Sequence, residues 1–219
     1  MKLHWSPRSP FVRKVMIVLH ETGLVDQVTL VRSVVAFAAP PNPAVLADNP
    51  LGQIPALVLA DGHTLFDSRV ICEYLDGLHQ GRRLFPDGPA RVDQLRWQAL
   101  GDGLTAMLLT LRTERLRTHP DQMIDAALTT KINAAMTSLD QGSAALQDQP
   151  FGIGQIAVIC AVGQIDFRFG AANWRAHFPA LATWADALAS RPSVTNTAVV
   201  DDSAPANSAP SLERLDFSQ

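Results

Sequence analysis

The run Asn49-Pro50-Leu51-Gly52-Gln53-Ile54-Pro55-Ala56-Leu57-Val58-Leu59 constrains the fold more than any other stretch of this chain, because it sets a proline at the mouth of an apolar strand. Pro55 has no N–H to give to a ladder, so the strand starts at a turn or lies at an edge, and a cis Ile54–Pro55 bond suits that place. Such a bond would turn the N–H and C=O of Ile54 outward, where an extended ligand would pair with them as an added strand. The plainer alternative is a loop proline ahead of a strand. Shortly afterwards comes Leu65-Phe66-Asp67-Ser68, followed by Arg69-Val70-Ile71-Cys72-Glu73-Tyr74-Leu75, whose apolar positions have helical spacing with Asp67 or Ser68 as N-cap. First-turn N–H groups form an anion site, so a ligand carboxylate would sit there beside the Ser68 hydroxyl while Asp67 meets an ammonium group. Both charges on one carbon describe an amino-acid terminus; the bland reading is an ordinary helix cap.

The N-terminus, Met1-Lys2-Leu3-His4-Trp5-Ser6-Pro7-Arg8-Ser9-Pro10-Phe11-Val12-Arg13-Lys14-Val15, reads as a short alternating strand, a turn, and a helix capped by Ser9 with Pro10 at its first position. Arg13 and Lys14 fall in or just after the first turn, where the dipole disfavours an exposed cation by ~0.3–1 kcal/mol. An anion held near Ser9 relieves that conflict, as does solvent. If Ser9 donates to a ligand thiolate at this helix N-terminus, a thiol of pKa ~8.5 ionises near neutrality, and each tenfold gain in ionisation needs roughly 1.4 kcal/mol of preference for the charged form.

Strand-Ser-Pro-Phe-helix, then Asn-Pro-x-Gly-x-Ile-Pro, then Asp-Ser before a helix resembles the glutathione transferase superfamily, in the bacterial form with serine at the cysteine/serine active-site position. The likeness continues through Arg96-Trp97, Ala99-Leu100-Gly101-Asp102-Gly103-Leu104, Ile165-Asp166-Phe167-Arg168-Phe169, Trp184 and Arg191-Pro192-Ser193-Val194, covering about residues 1–200. The resemblance implies an α+β two-domain protein with a thioredoxin-like βαβ-ββα domain ahead of an all-helical one. It makes Ser9 the catalytic hydroxyl, Ile54 the backbone partner of the cysteinyl part of glutathione, Pro55 the cis proline, and Asp67 with Ser68 the γ-glutamyl site. Gln53 is a further expected contact. Leu100, Leu104, Met107, Leu108 and Leu111 at helical spacing read first as a core face; the resemblance adds Phe11, Leu104, Met107, Leu108 and Arg112 as the expected acceptor pocket.

Two departures from the family pattern stand out. Many relatives carry cysteine where Ser9 stands and form mixed disulfides; a serine cannot, so thiolate stabilisation is expected instead of redox exchange. In Phe151-Gly152-Ile153-Gly154-Gln155-Ile156-Ala157, relatives have Ser or Thr followed three residues later by Asp. Gly152 offers no side-chain oxygen and Gln155 reaches at best one backbone N–H, so restoring Ser or Thr with Asp is expected to stabilise the junction.

The expected function is conjugation of the glutathione thiolate to a small, largely apolar electrophile, with glutathione as co-substrate, in a cytoplasmic, detoxifying homodimer. The alternatives are a non-enzymatic binding or regulatory protein on the same fold, or a glutathione-dependent isomerase or lyase. A net charge of −3 gives no nucleic-acid footprint. No run approaches the ~20 apolar residues of a membrane span, and the start lacks a signal-peptide core. The histidines lack ligand spacing, so no metal is expected, and Cys72 and Cys160 read as small core hydrophobes.

The expected layout is residues 1–79 as the thioredoxin-like domain, 80–89 as linker, 90–200 as the helical domain and 201–219 as a tail. Helices are expected at Ala90–Thr118, Pro120–Gln147, Gly154–Phe169 and Pro179–Ser190. Pro40, Pro41 and Pro43 forbid one regular helix over Val34–Asp48. Gly101 and Gly103, each costing ~1 kcal/mol in a helix interior, suggest a close approach of another backbone or ligand.

Overall fold

The computed structural model describes residues 1–37, 39–202 and 215–217. The chain forms two compact units: Met1–Arg91 with Pro192–Asp202, and Val92–Arg191 with the described tail residues Leu215–Phe217.

Unit 1 is built on a four-stranded sheet in the order β2-β1-β3-β4, from β1 (Lys2–Trp5), β2 (Thr29–Arg32), β3 (Ala56–Val58) and β4 (Thr64–Leu65). β1 runs parallel to β2, with Leu3 opposite Leu30, and antiparallel to β3, with Leu3 opposite Leu57. The crossover between the parallel strands is α1 (Pro10–Thr22), closed by Gly23 as a left-handed C-cap. Val12, Val15, Ile17, Val18 and Leu19 of this helix are fully buried, and it packs on α3 (Ser68–Gly77), whose Ile71, Cys72 and Leu75 are fully buried as well. The proline-rich segment yields only the short α2 (Pro43–Asp48), with Asn42 accepting from Ala44 N and Val45 N. The βαβ-ββα order read from the sequence is therefore present.

Unit 1 extends past the expected linker. The buried carboxylate of Asp76 in α3 accepts from Leu84 N (2.8 Å) and Phe85 N (3.2 Å), tying residues 79–85 back to the sheet-bearing unit. The late helix α10 (Pro192–Thr195) also joins this unit instead of the helical one, packing on α1.

Unit 2 holds α4 (Pro89–Arg115), which starts at the boundary, α5 (Gln122–Gln141), α6 (Ser143–Asp148), α7 (Ile153–Arg168), α8 (Trp174–His177) and α9 (Pro179–Leu188). The single helix expected over Pro120–Gln147 is two, broken at Gly142, where Trp97 of α4 leaves no room for a Cβ. The suspicion about α4's glycines holds for one of them. A Cβ on Gly101 would lie 2.6 Å from the carbonyl carbon of Ala157, so its absence lets α4 and α7 touch backbone to backbone, whereas Gly103 faces open space. α7 is buried on nearly every side and forms the axis of the unit. Among the described residues no single helix is long and apolar enough to cross a membrane. Most of the expected tail lies outside the described residues; within it Leu215 and Phe217 are buried, Phe217 meeting Phe178 edge-on at 5.0 Å.

Candidate active site

Ser9 stands where β1 gives way to α1. Its backbone is extended, Pro10 takes the first helical position, and its Oγ accepts from Val12 N at 3.3 Å. That bond uses an acceptor position of the hydroxyl and leaves the O–H proton as a separate donor capacity. The turn before it is closed by Ser9 N to Ser6 O at 3.2 Å, and Arg13 N returns to Ser9 O at 2.9 Å. A negative sulfur set against Ser9 would meet an O–H donor and the positive end of a thirteen-residue helix. Phe11, one turn position on, is half-buried. Lys14 is buried, with Nζ 5.8 Å from the Phe11 ring centre.

The Ile54–Pro55 bond is cis, and the β3 ladder starts at Ala56, just beyond it. Asn49, a residue to which the motif alone gives no role, shapes the preceding loop. Fully buried, it donates from Nδ2 to Gln53 O (2.8 Å) and accepts at Oδ1 from Leu51 N (3.1 Å). Gly52 completes the turn at φ +61°, where a side chain would be strained, with its N–H on Asn49 O. Ile54 and Pro55 are buried and Gln53 is exposed.

Asp67 is the N-cap of α3, its Oδ1 accepting from Arg69 N at 2.9 Å, and its side chain is exposed. One carboxylate oxygen thus organises the helix start while the group retains capacity for further donors. Ser68, the first helical residue, is buried. The Phe66–Asp67 bond is also cis. Ser9, Gln53, Ile54, Pro55, Asp67 and Ser68 all belong to unit 1.

The expected acceptor side chains on α4 divide by burial. Leu104 and Leu108 are wholly buried and serve as core, which corrects their reading as pocket wall; Met107 and Arg112 are half-buried.

Unit 1 also holds a polar cluster that no motif announces. Asp48, the last residue of α2, takes Lys2 Nζ at 2.5 Å and His4 Nε2 at 2.7 Å on the same oxygen, and His4 Nδ1 meets Ser33 Oγ at 2.8 Å. Hydrogen bonding from Lys2 first, and from His4, holds the Asp48 carboxyl below its ordinary value of 3.8. The cluster ties α2 to β1 and to the end of β2. Its only sequence signal is a lysine and a histidine two positions apart, and so on one face of β1.

Residues 8–78 match the family model described as the glutathione S-transferase N-terminal domain. The chain is 32% identical to the Escherichia coli K12 uncharacterized GST-like protein YibF, the alignment covering 90% of this chain and 98% of that one. A glutathione transferase family member from Pseudomonas fluorescens Pf-5, solved with bound glutathione, is 41% identical with a TM-score of 0.85, over 90% of this chain and 97% of that chain. A glutathione S-transferase from Methylobacillus flagellatus KT, solved with glutathione bound, is 35% identical with a TM-score of 0.83, over 91% and 99% of the two chains.

Proposed function

The chain belongs to the glutathione transferase superfamily, and we propose that within it the protein is a glutathione transferase that attacks electrophilic carbon with the glutathione thiolate. The observation that carries this reading is the Ser9 hydroxyl, fixed through its oxygen at the N-terminus of α1 with its proton left to donate. In the proposed reaction the glutathione thiol gives its proton to solvent, the sulfur forms a bond to the acceptor carbon, and the leaving group departs with its electron pair. Ser9 and the helix dipole stabilise the thiolate before attack. Ile54 pairs through its backbone with the cysteinyl part, Asp67 meets the γ-glutamyl ammonium, and the start of α3 at Ser68 meets its carboxylate, with Gln53 alongside. The solved relatives with bound glutathione support this ligand.

Serine at this position favours conjugation over thiol–disulfide chemistry, because its oxygen forms no mixed disulfide. Among the acceptor contacts, Phe11, Met107 and Arg112 are the side chains with exposed surface to offer. We also propose a cytoplasmic homodimer, supported by the apolar side chains left exposed at Val70 on α3 and Val92 on α4. Sedimentation should give twice the 23.7 kDa chain mass.

The experiment is a calorimetric titration of the purified protein with glutathione, followed by conjugation assays against a panel of aryl halides, epoxides and activated alkenes. Binding with turnover supports a transferase. Binding without turnover of any acceptor would make the chain a glutathione-binding protein, and no binding would remove the reading.

A further inference from the structure

The carboxyl ends of the parallel strands β1 and β2 lie side by side, Trp5 paired with Arg32 and Ser33 N donating to Trp5 O at 2.8 Å. This is the edge of an open α/β sheet at which ligands are usually received, and Ser9 is at the same edge. Two guanidinium groups converge there on one carboxylate. Arg8 Nε lies 3.0 Å from Asp202 Oδ1; Arg32 Nε lies 2.5 Å from Oδ2 and its Nη2 donates to Oδ1 at 2.9 Å. Asp201 adds a weaker approach, 3.9 Å from Arg8. Val200 N donates to Pro7 O at 3.4 Å, so the segment bearing this carboxylate rests on the turn that leads into Ser9.

The geometry is that of carboxylate recognition: a fork from Arg32 across both oxygens, completed by Arg8. Its occupant is the chain's own side chain, a third exposed, and Arg8 directly precedes in sequence the serine proposed to hold the thiolate. With both aspartates in place the two arginines are neutralised; displacing Asp202 by another carboxylate keeps the same charge count and the same hydrogen bonds. The exchange is therefore balanced in contacts, and both competitors are local, Asp202 through the chain and the acceptor through its glutathione part.

We infer that Arg8 and Arg32 form a carboxylate subsite for the acceptor, occupied in the resting chain by Asp202, and that this selects electrophiles carrying an anionic group. The inference rests on the glutathione reading and adds the acceptor's chemical class to it. Asp202 competes with the acceptor, so removing its charge opens the subsite.

The test compares two thioethers that share the glutathione part and differ by one carboxylate, S-benzylglutathione and S-(para-carboxybenzyl)glutathione, titrated calorimetrically into the full chain. For an exposed pair of this kind, Asp202→Asn is expected to raise the preference for the carboxylated thioether about fivefold. Arg32→Gln or Arg8→Gln in the Asp202→Asn background should abolish that gain, and high salt should shrink it. An unchanged or reduced preference in Asp202→Asn, with both thioethers bound, overturns the subsite and leaves the glutathione reading intact. Failure of the wild type to bind either thioether overturns both.

Discussion

The side-chain oxygen of Gln94 lies 2.7 Å from the backbone nitrogen of Gly154, so a residue of α4 supplies the acceptor that the start of α7 lacks. Gln155 completes the arrangement from within α7. Its Oε1 accepts from Gly152 N at 3.0 Å, and its Nε2 donates to Leu146 O, Gln149 O and Pro150 O at 3.1, 3.3 and 3.1 Å. The junction read from the sequence as a missing cap is thus satisfied by two buried glutamines. The expected benefit of Asp at 155 is reversed, because a carboxylate there donates nothing and would face three carbonyls in a buried place.

Gln94→Ala should leave the Gly154 N–H buried without an acceptor and cost about 1–3 kcal/mol. Gln155→Asp should destabilise the protein as well, whatever stands at 152. Urea unfolding measures both; midpoints equal to wild type would mean that solvent or another side chain takes over the cap.

Asn49→Ala should weaken glutathione binding without touching the ligand, because the loop presenting Ile54 loses both side-chain bonds that shape it. The expected signature is a raised Kd for glutathione in a folded protein, and Asn49→Asp should not rescue it, because a buried carboxylate keeps the acceptor for Leu51 N but sets an oxygen against Gln53 O. Calorimetry reads the affinity, and an unchanged Kd would show that Gly52 and the strand alone hold the loop.

Most of unit 1 was legible in the sequence, and the reasons are local. Ser9-Pro10, Asp67-Ser68 and Pro55 act on their own neighbours within a turn or two, so the capping and cis-proline readings needed no knowledge of packing. What stayed hidden depends on contacts distant in sequence. Asp48 is an unremarkable acid until β1 brings Lys2 and His4 to it, and the break at Gly142 follows from Trp97 arriving from another helix. The α4 stripe shows the limit of periodicity. Leu104, Met107 and Leu108 share a helical face, yet only the first and third are sealed in the core.

Asp67→Asn should separate the two duties of that residue. Asn keeps the cap on Arg69 N but loses the charge offered to an ammonium, so glutathione affinity should fall by about 1.5–3 kcal/mol while thermal stability holds near wild type. Equal affinity in calorimetry would remove Asp67 from the γ-glutamyl site.

Acid should destabilise the fold in a definite window. Lys2 and His4 at Asp48, Arg115 at Asp125, and Arg32 at Asp202 hold these carboxyls below 3.8 in the folded chain. The unfolded state binds more protons there, so their contribution is present above 3.8 and is lost as pH falls through the lowered folded values. Urea midpoints should drop on moving from neutral pH to pH ~3, and Asp48→Asn should show a shallower drop. A midpoint indifferent to acid would contradict the assignment.

The central claim is that Ser9 holds the glutathione thiolate. The direct measurement is the thiolate absorbance of protein-bound glutathione against pH, in wild type and in Ser9→Ala, with calorimetry confirming that both bind. The bound thiol of the wild type is expected to ionise well below the free value of ~8.5. Ser9→Ala should titrate at higher pH, with conjugation slowed by up to ~100-fold, less where the diffuse charge of sulfur softens the loss. Superimposable titration curves would contradict the claim and transfer the role to another donor at the start of α1.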